Sequence, residues 1–547
     1  MTLLPIVGRE LIEASRRRST HLVRVGAAAV AVLVGTFFFA ADHRGSWAGS
    51  GRGEAIFMWL AVLLHLYCLG AGVSRTADCL SEEKREGTLG LLFLTDLKGH
   101  DVVLGKLVAT SLNAVYGALA VLPVLAIPLL AGGVAPADFA RTAGVALNNL
   151  FFSLAVGMFC SAVFRDDRRS MGWAWSILLF VTVLLPAAGA FFCAQTEQMR
   201  WYPLFVVLSP GFDAIMAFQE PAASFSRQFK GLPWFEISVA CIHGLSWLLL
   251  AAACWLVPRT WQDRPLSRAG AARRQRLTNL ELGAVPERVA LRQRLLDLNP
   301  VLWLSGRQRH QRTLVWLFVG VMVGIWVWLE GVGDRGGGDE FLAGVILVGM
   351  HAGLKLWLAS EAGRRFSLDR ASGALELILS TPLSVPEILR GQHAALLRQF
   401  GLPALAVLAM DLMVSFAVMP GEEGSFLWLC VTLVFVADMS TLPWVGMWQG
   451  LNSSRPNVAA GRTVALILVL PWVLYLVVPL GVGIFSNFAW SWGNQGLPAW
   501  LSRHLPVLFW VSLCVGVNVL FGLLARRRLL EEFRALATTR FGGPGKG

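Results

Sequence analysis

Four polar side chains stand inside long apolar runs: His65, His351, Lys355 and Asp438, with Asp411 nearer the end of its run. Placing Asp, Lys or Arg at the middle of a bilayer costs about 2.5–3.5 kcal/mol even on the lenient insertion scale, so a residue kept there needs a partner, a wet cavity or a task. Asp438, with Ser440 and Thr441 close behind it, is a candidate to line a wet cavity or to bond neighbouring backbone. His65, His351 and Asp438 are candidates for a translocation pathway; for the two histidines the plainer reading is that neighbouring helices satisfy them. Enzyme chemistry has less footing. Gly105-Lys106 is followed by Leu107, so the phosphate-cradling GxxxxGK[ST] is missing, and neither HExxH nor GxSxG occurs. No catalytic residue and no metal ligand is assigned.

A second constellation suits recognition rather than catalysis, because it occurs twice. Glu83-Lys84-Arg85-Glu86-Gly87-Thr88-Leu89-Gly90-Leu91-Leu92-Phe93-Leu94-Thr95-Asp96-Leu97 runs against Asp369-Arg370-Ala371-Ser372-Gly373-Ala374-Leu375-Glu376-Leu377-Ile378-Leu379-Ser380-Thr381-Pro382-Leu383 at a constant offset of 286. Without a gap, Gly87 matches Gly373, Leu89 Leu375, Leu91 Leu377, Thr95 Thr381, Leu97 Leu383 and Gly105 Gly391. The same register matches His65 to His351 and Ser74 to Ser360, so a pseudo-twofold axis could bring the two histidines to facing positions. Gly87 and Gly373 are placed to end a helix in a left-handed C-cap, and Thr88 to cap the next turn. A short helix would then carry Leu89, Leu92 and Phe93 on one face, offered either to a partner's groove or to the helix's own bundle. Ser384-Val385-Pro386-Glu387 reads as a capping box that restarts the chain.

The elements that must position these residues are membrane spans. Of 547 residues 55% are hydrophobic and 15% charged, against the roughly 25% charged of a soluble domain. Apolar blocks of about 20 residues, enough to cross a hydrocarbon core of about 30 Å, lie near 20–40, 55–73, 107–131, 142–164, 173–193, 234–257, 314–331, 341–359, 395–418, 425–448, 463–484 and 505–525. The expected fold is all-α and polytopic, with about twelve transmembrane helices in two parallel six-helix repeats. One half is 1–257, a basic linker is 258–298, and the second half is 299–547. Each half begins with an interfacial helix: Leu4 to Ile12 in the first, and in the second Asn299 as N-cap with Pro300 in the first turn.

Charge sets the expected orientation. With the termini and the 74–106, 165–172, 258–313, 360–398 and 450–462 segments on one side, that side holds 37 Lys and Arg and the opposite loops 8. The positive-inside rule makes the first side cytoplasmic. The net charge of +12 therefore points to anionic lipid headgroups and not to nucleic acid.

Taken together, the interfacial lead-in helix, the second span and the loop from Glu83 to Lys106, with a second copy from Gly373 to Leu383 followed by Ile388-Leu389-Arg390-Gly391, resemble the ABC-2 type permeases of ABC transporters. Leu529 to Arg534 is similar to that family's basic C-terminal ending. The resemblance implies a fused pair of six-helix permease halves in a cell membrane, a bacterial inner membrane, that most often exports its substrate. It also implies a separate ATPase subunit, in two copies, carrying the ATP and Mg that this chain has no loop to hold. On that resemblance the docking residues are Glu83, Glu86, Gly87, Thr88, Leu89 and Leu92 in the first loop and Gly373, Leu375, Leu377 and Ile378 in the second. The rival expectation is an ion-coupled secondary transporter with two six-helix halves, for which the repeat alone also serves.

Overall fold

The structure, a computed structural model, describes residues 51–94, 97–131, 134–229, 231–260, 285–306, 309–332, 339–415, 422–475 and 499–538, together with 25, 26, 28, 29, 32 and 477. The chain divides into two compact units, Met1–Pro265 and Leu266–Gly547. Every described element is a helix. Nine of them are long and apolar enough to cross a membrane, or ten if Pro300–Gly306 and Gln311–Val327 form one bent span. The expected span at 20–40 and the first lead-in helix lie almost wholly outside the described residues. The stretch near 341–359 is helical but is not one of the nine.

In the first unit the helices used below are α1 (Gly51–Thr76), α2 (Cys79–Glu86), α3 (Thr88–Phe93), α4 (Gly99–Leu125), α5 (Pro136–Val163), α6 (Asp167–Leu179) and α7 (Trp234–Thr260). Phe57, Leu60 and Leu64 of α1, Leu150, Leu154 and Met158 of α5, and Leu250, Ala253 and Val257 of α7 share one buried core. Small residues let backbones approach where helices lack a hydrophobic drive to associate in lipid. A Cβ on Gly72 of α1 would fall 1.8 Å from the Ser153 hydroxyl of α5, and that hydroxyl donates to Cys68 O at 2.8 Å. Outward faces stay apolar, as lipid requires: α7 exposes Leu248 and Trp255.

The span that begins with α6 changes to a π turn at Phe180–Leu184 just before Pro186. Proline has no N–H for the carbonyl four residues back and crowds it, and a widened turn relieves both faults. That carbonyl is Thr182 O, and it accepts instead from the Ser209 hydroxyl at 3.0 Å. Ser209 also caps the helix Pro210–Met216, accepting from the N–H groups of Gly211 and Phe212.

The second unit holds α8 (Val285–Leu298), α9 (Pro300–Gly306), α10 (Arg309–Val332), α11 (Asp339–Ala371), α12 (Ala374–Leu379), α13 (Val385–Met413), α14 (Glu422–Leu451), α15 (Pro456–Val464) and α16 (Ala499–Thr538). Asn299 caps α9 as its sequence suggests: its side-chain Oδ1 accepts from Val301 N at 2.8 Å and Leu302 N at 3.2 Å. A π turn at Ala465–Val469 again stands just ahead of a proline, Pro471. Glu387 accepts from Ser384 N at 2.8 Å at the start of α13, and Asp101 from Lys98 N at 2.9 Å at the start of α4. These two pairs are also 286 apart.

Candidate functional site

The first loop is an elbow made by α2 and α3. Ser161, on α5, accepts from the otherwise unpartnered N–H groups of Leu80 and Ser81 at 2.8 and 2.9 Å, and so caps α2 from a neighbouring helix. Ser81 donates to Phe164 O at 3.0 Å, and the buried Lys84 ammonium donates to Ala162 O. Arg85 holds Asp78 with two nitrogens, at 2.9 and 3.2 Å. The chain then turns at Gly87, whose φ of 75° is the left-handed region that favours glycine. Glu83 is fastened inside the elbow, 2.7 Å from Lys106 and accepting from the Thr88 hydroxyl.

The second elbow repeats the turn with other side chains. Gly373 has the same φ of 75°. Ser367, the register mate of Ser81, donates to Ser453 O at 2.8 Å, and Arg370, the mate of Lys84, donates to Leu451 O. Asp369, the mate of Glu83, pairs with Arg365 at 2.8 Å. Burial pushes the Asp369 carboxyl up from its ordinary value, with Arg365 pulling the other way.

Several expected docking residues sit differently from the reading above. Leu89 and Leu375 are buried in their own units, Leu375 against Phe366, Leu529 and Phe533, so neither can touch a partner. Leu92 and Phe93 are half-buried against the first core, and Ile378 against the second elbow's core. A six-residue helix has one turn of inward face, and these side chains use it. The exposed apolar residues are Leu91 at 64%, Leu94 at 78% and Leu377 at 72%. Thr88 does not cap α3: it is the first helical residue, and its hydroxyl points back to Glu83. Glu86 and Gly87 are exposed at the tip.

Of the pathway candidates, His65 donates from Nδ1 to Ala61 O at 2.7 Å within its own helix, and its Nε2 has no partner among the described residues. His351 meets Asp411 instead, with Nε2 2.9 Å from Oδ2. The imidazole stacks on Phe435, ring centroids 4.2 Å apart. One turn along α11, Lys355 lies 2.7 Å from Asp438 Oδ2 and 5.6 Å above the same Phe435 ring. Asn518 of α16 completes the set, donating to Asp438 Oδ1 at 2.8 Å. Four helices thus contribute to one buried strip of two acid–base pairs on either side of an aromatic ring. Among the described residues no cluster of three or more His, Cys, Asp or Glu could hold a metal ion.

Residues 14–257 match the family model described as ABC-2 family transporter protein. The first half is an ABC-2 family transporter domain. No curated protein matches the chain. The match ends within three residues of the end of α7 and takes in the whole first elbow.

Outside the spans of this ABC-2 domain, one further carboxyl had drawn no attention in the sequence. Asp213, in the segment between the π turn and α7, is fully buried, and Asn149 Nδ2 donates to it at 3.2 Å. Desolvation pushes its carboxyl up to about 8, with the Asn149 and Ala214 hydrogen bonds only partly offsetting the rise. Nothing local in Pro210-Gly211-Phe212-Asp213 signals burial. In the second unit the missed fact is pairing. Lys355 and Asp438 both stood out as intramembrane charges, and the four-residue spacing of His351 and Lys355 put two bases on one helix face, to be matched by Asp411 and Asp438 on two others.

Proposed function

We propose that the chain is the membrane-spanning permease subunit of an ABC transporter, built as two duplicated six-helix halves, that exports its substrate with ATP hydrolysed by a separate subunit. The observation that carries the reading is the pairing of the ABC-2 family match over residues 14–257 with an elbow of the same backbone form, 286 residues on, in the half outside the match. One permease half per ATPase copy makes a fused pair a complete membrane partner for an ATPase dimer. The contacts in this reading are the exposed Leu91 and Leu94 in the first elbow and Leu377 in the second, set beside the exposed Glu86 and Glu376. Glu83, Gly87, Thr88 and Gly373 shape the elbows, and Leu89, Leu92, Leu375 and Ile378 anchor them. ATP and Mg belong to the partner, and both termini face the cytoplasm with the elbows.

The test is to purify the chain with and without a co-expressed ATPase subunit and to cross-link from Leu91→Cys and Leu377→Cys. The reading expects both positions to capture the ATPase, and ATP hydrolysis only when that subunit is present. ATP hydrolysis by the chain alone, or capture at neither position, overturns it.

One observation favours the rival class. Paired acids and bases within the spans are what an ion-coupled carrier needs, and His351–Asp411 and Lys355–Asp438 are such pairs. In reconstituted vesicles, transport that needs ATP and ignores a collapsed proton gradient supports the ABC reading. The opposite dependence supports the ion-coupled one.

A further inference from the structure

The second unit has a cavity of about 520 Å³ where α8, α9, the start of α10 and the middle of α13 meet. Its wall carries three guanidinium groups, from Arg294, Arg312 and Arg398, with the side-chain amides of Gln311 and Gln399, and no carboxylate. Neither Arg294 nor Arg312 forms an ion pair among the described residues, and Gln399 Nε2 is a buried donor with no partner among them. Arg294 and Arg312 thus share a wall with no anion to pair them among the described residues, and a donor buried without an acceptor costs free energy; an anion with several acceptor oxygens answers both. A phosphate fits that demand.

The location specifies whose phosphate it is. Arg312 and Thr313 line the cavity at the point where α10 becomes apolar, and the next residues along one face, Leu314, Leu317 and Val321, are exposed. That stripe is lipid-facing surface rising directly from the cavity mouth. On the other side Arg292 lies over the Trp303 ring at 5.5 Å, an aromatic–cation pair of the kind that sits at headgroup depth. We propose that this cavity binds the phosphate headgroup of an anionic phospholipid, with the acyl chains running along Leu314, Leu317 and Val321. Basic pockets between helices at a membrane face recognise such headgroups. The first half has no equivalent in this register: the mate of Arg398 is Leu112. The inference needs α10 to enter a membrane but needs no ATPase, so a failed lipid test leaves the transport reading standing, and a failed ATPase test leaves this one standing.

The test uses the full chain in a neutral detergent and follows its melting temperature as phosphatidylglycerol, phosphatidylcholine of the same acyl chains, or inorganic phosphate is added. Phosphatidylglycerol should raise the melting temperature saturably, and the other two should not. R294Q/R312Q should weaken the apparent affinity on the order of 30-fold, from two lost contacts near the membrane surface. R527Q/R534Q, which removes the same net charge from the exposed face of α16, should leave it unchanged. Each variant is compared with its own lipid-free baseline, and R294K/R312K, which keeps the charge, should retain most of the response. An unchanged response in R294Q/R312Q overturns the site, and so does a control variant that loses as much. A shift with inorganic phosphate equal to that with lipid overturns the lipid as its source.

Discussion

At the elbows the two units are alike in backbone and differ in side chains; at the depth of the spans they differ in kind. In the register of 286, His351 has His65 as its mate, but Lys355 has Leu69, Asp411 has Leu125 and Asp438 has Phe152. Leu125 and Phe152 are fully buried core residues. The first unit therefore fills with hydrocarbon the space in which the second holds two acid–base pairs, and its histidine makes do with a carbonyl of its own helix. An elbow is fixed by backbone demands, a left-handed glycine and carbonyls to be tied down, and either a lysine or an arginine can meet them. The inside of a span makes no such demand, so the two units are free to differ there. The α2 break teaches the same lesson: Ser161 supplies the acceptor that caps α2, whereas its mate Met447 has none, and α11 runs unbroken from Asp339 to Ala371.

The largest effect should come from breaking the charged strip. Lys355→Leu installs the first half's residue and leaves Asp438 buried without its cation, which typically costs about 3–5 kcal/mol. Adding Asp438→Asn removes the stranded charge, keeps an acceptor for Asn518 and should recover most of that loss. Thermal unfolding of the three proteins in one detergent checks it. A double variant no more stable than the single one would mean that the pair does not act as a unit.

Next comes the first unit's own buried acid. Asp213 holds its proton up to about 8 in the folded chain, while an unfolded aspartate releases it near 3.9. Between those values the folded state binds the extra proton, so stability falls as pH rises, by about 1.4 kcal/mol per pH unit at most, and is level again above the folded value. Asp213→Asn should flatten that slope and make the protein more stable than wild type at pH 8. A slope unchanged in the variant would assign it to another group. Because Asn149 is the register mate of Phe435, this acid sharpens the contrast: the first unit sets its buried carboxyl against an amide, the second sets its two against a lysine and an imidazole.

The legibility of the molecule follows the same division. The elbow turns, the Asn299 cap and most span positions were readable because each depends on a few neighbouring residues: a glycine at a helix end, an Asn before a Pro, a run of apolar side chains. Which face of α3 or α12 points inward was not, because six residues are too few for a period of 3.6 to show. The partners of His351, Lys355 and Asp213 were not, because each lies 60 or more residues away on another helix. His65 bonds a carbonyl of its own helix, and His351 a carboxylate on a neighbouring helix of its own unit.

A smaller effect tests the likeness of the elbows. Gly87 and Gly373 share φ 75°, and a Cβ at either would meet nothing within 4 Å. Alanine there should cost only the left-handed penalty, about 1–2 kcal/mol, and nearly the same amount in both. Unequal losses in unfolding experiments would show that one elbow tolerates a change of turn.

The smallest effect concerns docking strength. The first elbow has Glu82, Glu83, Glu86 and Thr88 where the second has Leu368, Asp369, Ser372 and Ala374, which on composition alone favours the first as the tighter holder of an ATPase subunit. The geometry removes most of that advantage. Glu83 is spent on Lys106 and Thr88, Thr88 on Glu83, and Asp369 on Arg365. What remains of the compared positions is an exposed Glu86 against an exposed Ser372, and the second elbow has an exposed carboxylate of its own in Glu376. One solvent-exposed charge contributes about 0.2–1 kcal/mol and is screened by salt. Glu86→Gln should therefore weaken ATPase retention by no more than about fivefold, and less at high salt, whereas Ser372→Ala should leave it unchanged. Leu91→Glu and Leu377→Glu should each cost more than Glu86→Gln, because an exposed leucine at the tip contributes by burial against its partner, which salt does not screen. If Glu86→Gln outweighed both, docking would be governed by charge, and the two halves would differ at their elbows as they do within their spans.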